Sequence, residues 1–130
     1  MKGIDTNVLV RYLVQDDAEQ GRKAARFVAE ACSAESPGLI NRVVMCELVW
    51  VLESAYGYAR GRIALALEQI LRTAQFRIED HSEMWSSLRE YQAGADFADA
   101  LIGVVNRRLG CSETVTFDRK AGRRSGFKTL

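Results

Sequence analysis

Five carboxylates, Asp5, Glu47, Asp96, Asp99 and Asp118, fall where apolar runs end or where helical periodicity begins. In a parallel α/β sheet the ligand edge lies beyond the carboxyl ends of the strands. Asp5 and Asp118 each close a strand-like segment, so both reach that edge although 113 positions separate them. Asp96 and Asp99 are three apart at a helix start, which puts them on one face near the positive end of the helix dipole. Glu47 lies near the start of the helix after the second strand. Each acid alone has an ordinary structural explanation: Asp96 a helix cap, Asp118 a turn, Glu47 a solvated helix residue. Gathered at one rim, however, carboxylates repel and raise one another's pKa unless a cation neutralises them. Oxygen donors without Cys or His favour Mg²⁺, with Mn²⁺ as a possible substitute, over zinc. Such an ion orients a water, lowers its pKa and stabilises charge developing on a phosphate, and two ions clamp both the attacking and leaving oxygens. The chemistry that fits is phosphodiester hydrolysis. No competing nucleophile set is present: there is no GxSxG, HExxH, Gly-rich phosphate loop, or Cys with a nearby catalytic His.

The elements that must position these acids follow from the hydrophobic pattern. Met1 to Asp5 reads as a short buried strand running into a helical turn through Val8 to Val10, with Thr6 or Asn7 as its cap. Helical spacing recurs over residues 18–34, and Ser36-Pro37-Gly38 breaks it. Leu39 to Asn41 is a strand candidate. Helices are predicted over 44–56, 62–75, 82–93 and 96–109, the last ended by Gly110. Phe76 to Glu79 and Thr114 to Phe117 read as strands, with Phe127 to Leu130 as one more. Strands alternating with helices imply a parallel sheet covered on both faces by right-handed crossovers, a three-layer α/β/α domain.

At 130 residues the chain is the length of one domain, and no linker, repeat or low-complexity tract divides it; the reading is a single domain over 1–130. With 48% hydrophobic and 27% charged residues it is neither disordered nor collagenous. No apolar run reaches membrane-span length and no leader pattern opens the chain, so a cytoplasmic location is expected. Cys32, Cys46 and Cys111 form no CxxC pair and, with His81 alone, no ordinary zinc site; they are expected to be buried thiols. Charge is uneven. Residues 1–106 carry 11 basic and 15 acidic side chains, and residues 107–130 carry seven and two. Within that basic end, Arg119, Lys120, Arg123 and Arg124 are the candidates for phosphate contact. Val44, Leu48, Val49, Trp50 and Leu52 form a broad apolar surface that a partner could cover.

Asp5-Thr6-Asn7, Glu47, the segment from Asp96 to Ile102, and Thr116-Phe117-Asp118 together resemble the PIN-domain pattern, VapC-type toxins especially, over nearly the whole chain. The resemblance implies a Mg²⁺-dependent endoribonuclease with Asp5, Glu47, Asp99 and Asp118 in the four acidic positions and Asp96 as an auxiliary acid. It also implies that Asn7 and Thr116 support the first and last acids through hydrogen bonds. A homodimer, and a cognate antitoxin whose C-terminal segment occupies the groove near the acids, come with the family. The RNA itself is not specified, because cleavage specificity is read by loops and basic surface.

Two other readings compete. An Asp-nucleophile phosphatase needs a second Asp two positions after Asp5, where this chain has Asn7. A non-catalytic PIN-like module that binds RNA or protein fits a chain that has lost one of the acids, and here all four are present.

Overall fold

The structure, a computed structural model, describes residues 1–130. They form two compact units, Met1–His81 and Ser82–Leu130.

The first unit alternates single strands with pairs of helices. β1 (Lys2–Gly3) leads through α1 (Thr6–Val14) and α2 (Ala18–Ala31) to β2 (Gly38–Ile40). The chain then runs through α3 (Arg42–Ser54) and α4 (Arg60–Arg72) to β3 (Phe76–Ile78). The strands form one parallel sheet in the order β1-β2-β3, with Gly3 opposite Leu39 and Leu39 opposite Arg77. Strands this short hold because helices bury them. Ile40, Met45, Leu48, Leu52, Ile63 and Leu67 are inaccessible to solvent. The α3 face expected to await a partner is thus mostly this unit's own core: Val44, Leu48, Val49 and Leu52 are buried, and only Trp50 turns outward, 69% exposed. The helix period explains the split, since Trp50 and the exposed Val43 fall on the face opposite Leu48 and Leu52.

The caps are local and acidic or amide side chains. Asp5, rather than Thr6 or Asn7, is the N-cap of α1, in extended backbone with its side chain accepting the Thr6 N–H. Thr6 is already helical and its side chain is buried. Asn41 caps α3 through the Val44 N–H.

The second unit holds α5 (His81–Gln92, from Ser82 on), α6 (Phe97–Arg108), β4 (Thr114–Thr116), a 3₁₀ turn at Ala121–Arg123 and β5 (Phe127–Thr129). β4 and β5 pair in parallel, in register from Thr114 with Phe127 to Thr116 with Thr129. Parallel neighbours usually need a helical crossover of about a dozen residues. Here residues 117–126 suffice, because the 3₁₀ turn packs directly on β5: a Cβ at Gly122 would run into Thr129 Oγ1, with the Thr129 backbone N 3.1 Å away. Gly103 makes similar room on α6, where a Cβ would lie 2.5 Å from Phe127 Cε1. Tyr91 and Phe97, both buried, meet edge to face at 6.0 Å and join α5 to α6.

The chain is therefore α/β with parallel strands, as expected, and the strand Phe127–Thr129 is present. The strand hydrogen bonds divide it into a three-stranded and a two-stranded sheet. Of the cysteines only Cys32 is buried; Cys46 is half-buried and Cys111 exposed, the latter because it lies in the polar loop after Gly110. No helix is long and apolar enough to cross a membrane.

Candidate functional site

In the first unit Asp5 and Glu47 are linked through Thr6 at the start of α1. Asp5 Oδ1 accepts the Thr6 N–H at 2.8 Å, which fixes the carboxylate at the helix N-terminus, where the dipole favours negative charge. Thr6 Oγ1 donates to Glu47 Oε1 at 3.2 Å. Thr6 thus ties the second helical turn of α3 to the residue next to Asp5. In the sequence Thr6 reads only as a candidate cap; its buried hydroxyl is the signal of more, since a buried hydroxyl needs a partner. Asn7 lines a cavity of about 630 Å³ with Lys2, Arg11, Lys23 and Phe27 among its walls and no acidic side chain.

In the second unit Asp96 is the N-cap of α6, its Oδ1 accepting the Asp99 N–H at 2.9 Å. Asp118 closes β4 and opens the 3₁₀ turn. Its Oδ1 accepts the N–H groups of Lys120 at 2.8 Å and Ala121 at 3.1 Å, and its own N–H donates to Thr116 Oγ1 at 3.0 Å. The ordinary explanations for Asp96 and Asp118 are therefore real, and each uses one carboxylate oxygen.

Asp96, Asp99 and Asp118 line one cavity of about 420 Å³, together with Glu90, Lys120 and Arg124. Asp99, half-buried, has its carboxyl pushed above the usual carboxylate range, first by burial and then by the negative charges of Asp96 and Asp118, with Arg124 opposing. That is the electrostatic condition in which a divalent cation binds favourably. The donor set, carboxylate oxygen throughout, suits Mg²⁺. Within neither unit do three or more acidic, Cys or His side chains close into a metal-holding group. Like charges stand apart unless a cation draws them together, and the caps hold Asp96 and Asp118 where the backbone needs them.

The basic end is less uniform than its composition suggests. Lys120 and Arg124 reach the acidic cavity, whereas Arg119 and Arg123 are exposed outside its walls. Arg124 donates through Nη2 to Glu90 Oε2, and Phe127 lies under its guanidinium at 5.3 Å. Nothing in the sequence singles out Glu90, which reads there like any solvated helix residue. His81 Nε2 donates to the Leu71 carbonyl oxygen, 3.2 Å away, and so serves the first unit's packing.

A family model described as "PIN domain" matches residues 3–126. A "VapC ribonuclease" from Aquifex aeolicus (strain VF5) is 29% identical over 131 residues, covering 100% of this chain and 96% of that protein. No solved structure matches.

Proposed function

Because this chain belongs to the PIN-domain family, we propose that it is a Mg²⁺-dependent endoribonuclease, the toxin component of a type II toxin–antitoxin pair. Asp5, Glu47, Asp99 and Asp118 are the proposed metal ligands, with Asp96 auxiliary. The observation that carries the reading is the cavity on which Asp96, Asp99 and Asp118 converge, with the Asp99 carboxyl resisting ionisation. The name of the relative, a VapC ribonuclease, supports RNA as substrate and an antitoxin as partner. A homodimer, a cytoplasmic location, and an antitoxin segment placing Arg or Lys against the acids belong to the same proposal.

The protein's own groups have definable tasks. Asp96 and Asp118 hold backbone N–H groups through Oδ1, which fixes the start of α6 and the turn after β4 and orients their remaining oxygens. Thr6 restrains Glu47, and Thr116 restrains Asp118. When bound, a divalent ion supplies an activated water and a Lewis acid for the phosphorus centre. Lys120 and Arg124 bring positive charge for the phosphate.

The test uses protein freed of any co-purifying partner, incubated with mixed cellular RNA in Mg²⁺, Mn²⁺ or EDTA beside Asp5→Asn and Asp99→Asn. Discrete metal-dependent fragments are expected from the wild type, with at least about a hundredfold loss in both variants, several kcal/mol of transition-state stabilisation. Folded protein that cuts nothing in any metal points instead to the non-catalytic binding module.

A further inference from the structure

We propose that the cavity lined by β1, α1 and α2 is a nucleotide pocket for the RNA strand, in which one base stacks on Phe27 while Lys2 and Lys23 take the adjoining phosphates. The inference rests on the ribonuclease reading and adds a second point of contact for its substrate.

The walls combine three kinds of group. At about 630 Å³ the cavity has the size of a small-ligand pocket, and every wall residue belongs to the first unit. Ile4, Val8, Ala24 and Phe27 give it an apolar floor with one aromatic ring. Lys2, Arg11 and Lys23 bring positive charge, and no acidic side chain lines it. Asn7 and Gln20 add carboxamides, which carry donors and an acceptor together, as the edge of a base does. Single-stranded RNA is held by this combination: bases stack on rings and pair at their edges, and cations track the phosphates. An acidic peptide uses the cations alone. A nucleotide also uses the ring and the amides, and the proposed reaction brings RNA to Asp5, two residues before Asn7 in the chain.

The three cations are not equivalent. Arg11 is held by Gln20, Asp16 and Tyr56. Lys23 has an ion pair with Glu19 at 3.2 Å in which both side chains are 73% exposed, and such a pair exchanges readily for another anion. The Lys2 ammonium has a ring rather than a carboxylate beside it, 5.9 Å from the centre of Phe27. A stacked base is worth more than an exposed cation–π contact, so a base takes the ring and leaves the ammonium for a phosphate. Gly3 keeps the approach beside Lys2 open, since a Cβ there meets nothing within 4 Å. Composition places the phosphate contacts in the basic chain end. Lys2 and Lys23 lie in the mildly acidic body, and only packing brings them to one cavity with Phe27.

The experiment compares wild type, Phe27→Leu and the double variant Lys2→Gln/Lys23→Gln, with circular dichroism on each. A fluorescein-labelled single-stranded RNA is titrated by anisotropy in EDTA between about 50 and 200 mM KCl, where each phosphate contact adds about 0.7 to the slope of log Kd against log[salt]. The lysine variant is expected to lower that slope by about 1.4. Phe27→Leu is expected to keep the slope and weaken binding about fivefold or more, because leucine fills the floor without stacking a base. In Mg²⁺ its KM rises while kcat stays within about twofold of wild type, the pattern of a contact away from the reacting bond. Either a wild-type Kd in folded Phe27→Leu or a wild-type slope in the lysine variant overturns the proposal. Should Phe27→Leu fail to fold, an abasic strand of the same length decides on wild type: binding as tight as RNA overturns the pocket, and binding about fivefold weaker supports it. If a poly-glutamate peptide loses affinity in both variants and RNA in neither, the cavity takes an acidic peptide and the proposal fails. Wild type that binds and cuts RNA while both variants match it removes this inference alone; wild type that neither binds nor cuts removes the ribonuclease reading with it.

Discussion

Two arginines line two cavities, and their hydrogen bonds differ. Arg11, on α1, is supplied with acceptors: Nε donates to Gln20 Oε1 at 2.7 Å, and Nη1 donates to Asp16 Oδ1 at 2.8 Å and to Tyr56 Oη at 3.3 Å. Tyr56 in turn donates to Asp16 Oδ2 at 2.9 Å, closing a three-member ring of contacts. Arg124, in the second unit, has one carboxylate partner and one buried nitrogen with none. Through Nε and Nη1 the Arg11 guanidinium links α1 to Gln20 of α2 and to Asp16 and Tyr56. The contrast separates an arginine held by several acceptors from one with a buried donor left unpaired, which the residue type alone does not do.

The contrast can be broken most severely through the backbone that carries Arg124. Gly122→Ala drives a methyl into Thr129, and overpacking of this kind costs about 1–3 kcal/mol. The entropy removed from the unfolded chain returns about 0.4–1 kcal/mol, so a net loss of about 1–2 kcal/mol is expected from denaturant unfolding. An unchanged midpoint means that β5 tolerates a shift and that the 3₁₀ turn does not hold Arg124 rigidly.

A smaller effect sharpens the comparison from the other side. Arg11→Gln removes an exposed ion pair, so Tm should fall by only about 2 °C or less, and the salt slope of RNA binding should stay at the wild-type value. A slope lowered by about 0.7 means that Arg11 contacts phosphate.

The smallest effect is a pH dependence. The Asp16 carboxyl is held below the usual carboxylate range, first by the hydrogen bond from Tyr56 and also by Arg11. A lowered folded-state pKa means stability that is present above the unfolded value and is lost as pH falls through the folded one. Tyr56 is raised above the ordinary phenol value, chiefly by its bond to Asp16, so its contribution is present below that value and fades as pH climbs past it. Tyr56→Phe should therefore flatten both flanks of the stability–pH curve, in acid below about pH 4 and in alkali above about pH 10. Thermal melts across pH that leave the wild-type curve unaltered would show that the ring of contacts contributes nothing in solution.

Much of this is legible in the sequence, for local reasons. Asp96 and Asp99 announce a capped helix start because the cap and the N–H it serves are three residues apart. The helices, the parallel strands and Gly110 after α6 follow from periodicity and turn chemistry within short windows. Other features are not legible there. Thr6 and Glu47 are 41 positions apart, and nothing local predicts their hydrogen bond. Gly103 and Gly122 look like weak points in a helix and a turn until Phe127 and Thr129 are seen to fill the space beside them. Trp50 reads as one more apolar residue of α3, and only packing shows that it is left outside, as Val43 is.

The sequence by itself determined the acids, their order along the chain and the α/β class, because capping, periodicity and charge act over a few residues. Only the tertiary structure decided which side chains complete one another's hydrogen bonds. That depends on partners such as Glu90 and Phe127 arriving from other elements, and it is why one arginine among several is left with a buried donor and no acceptor.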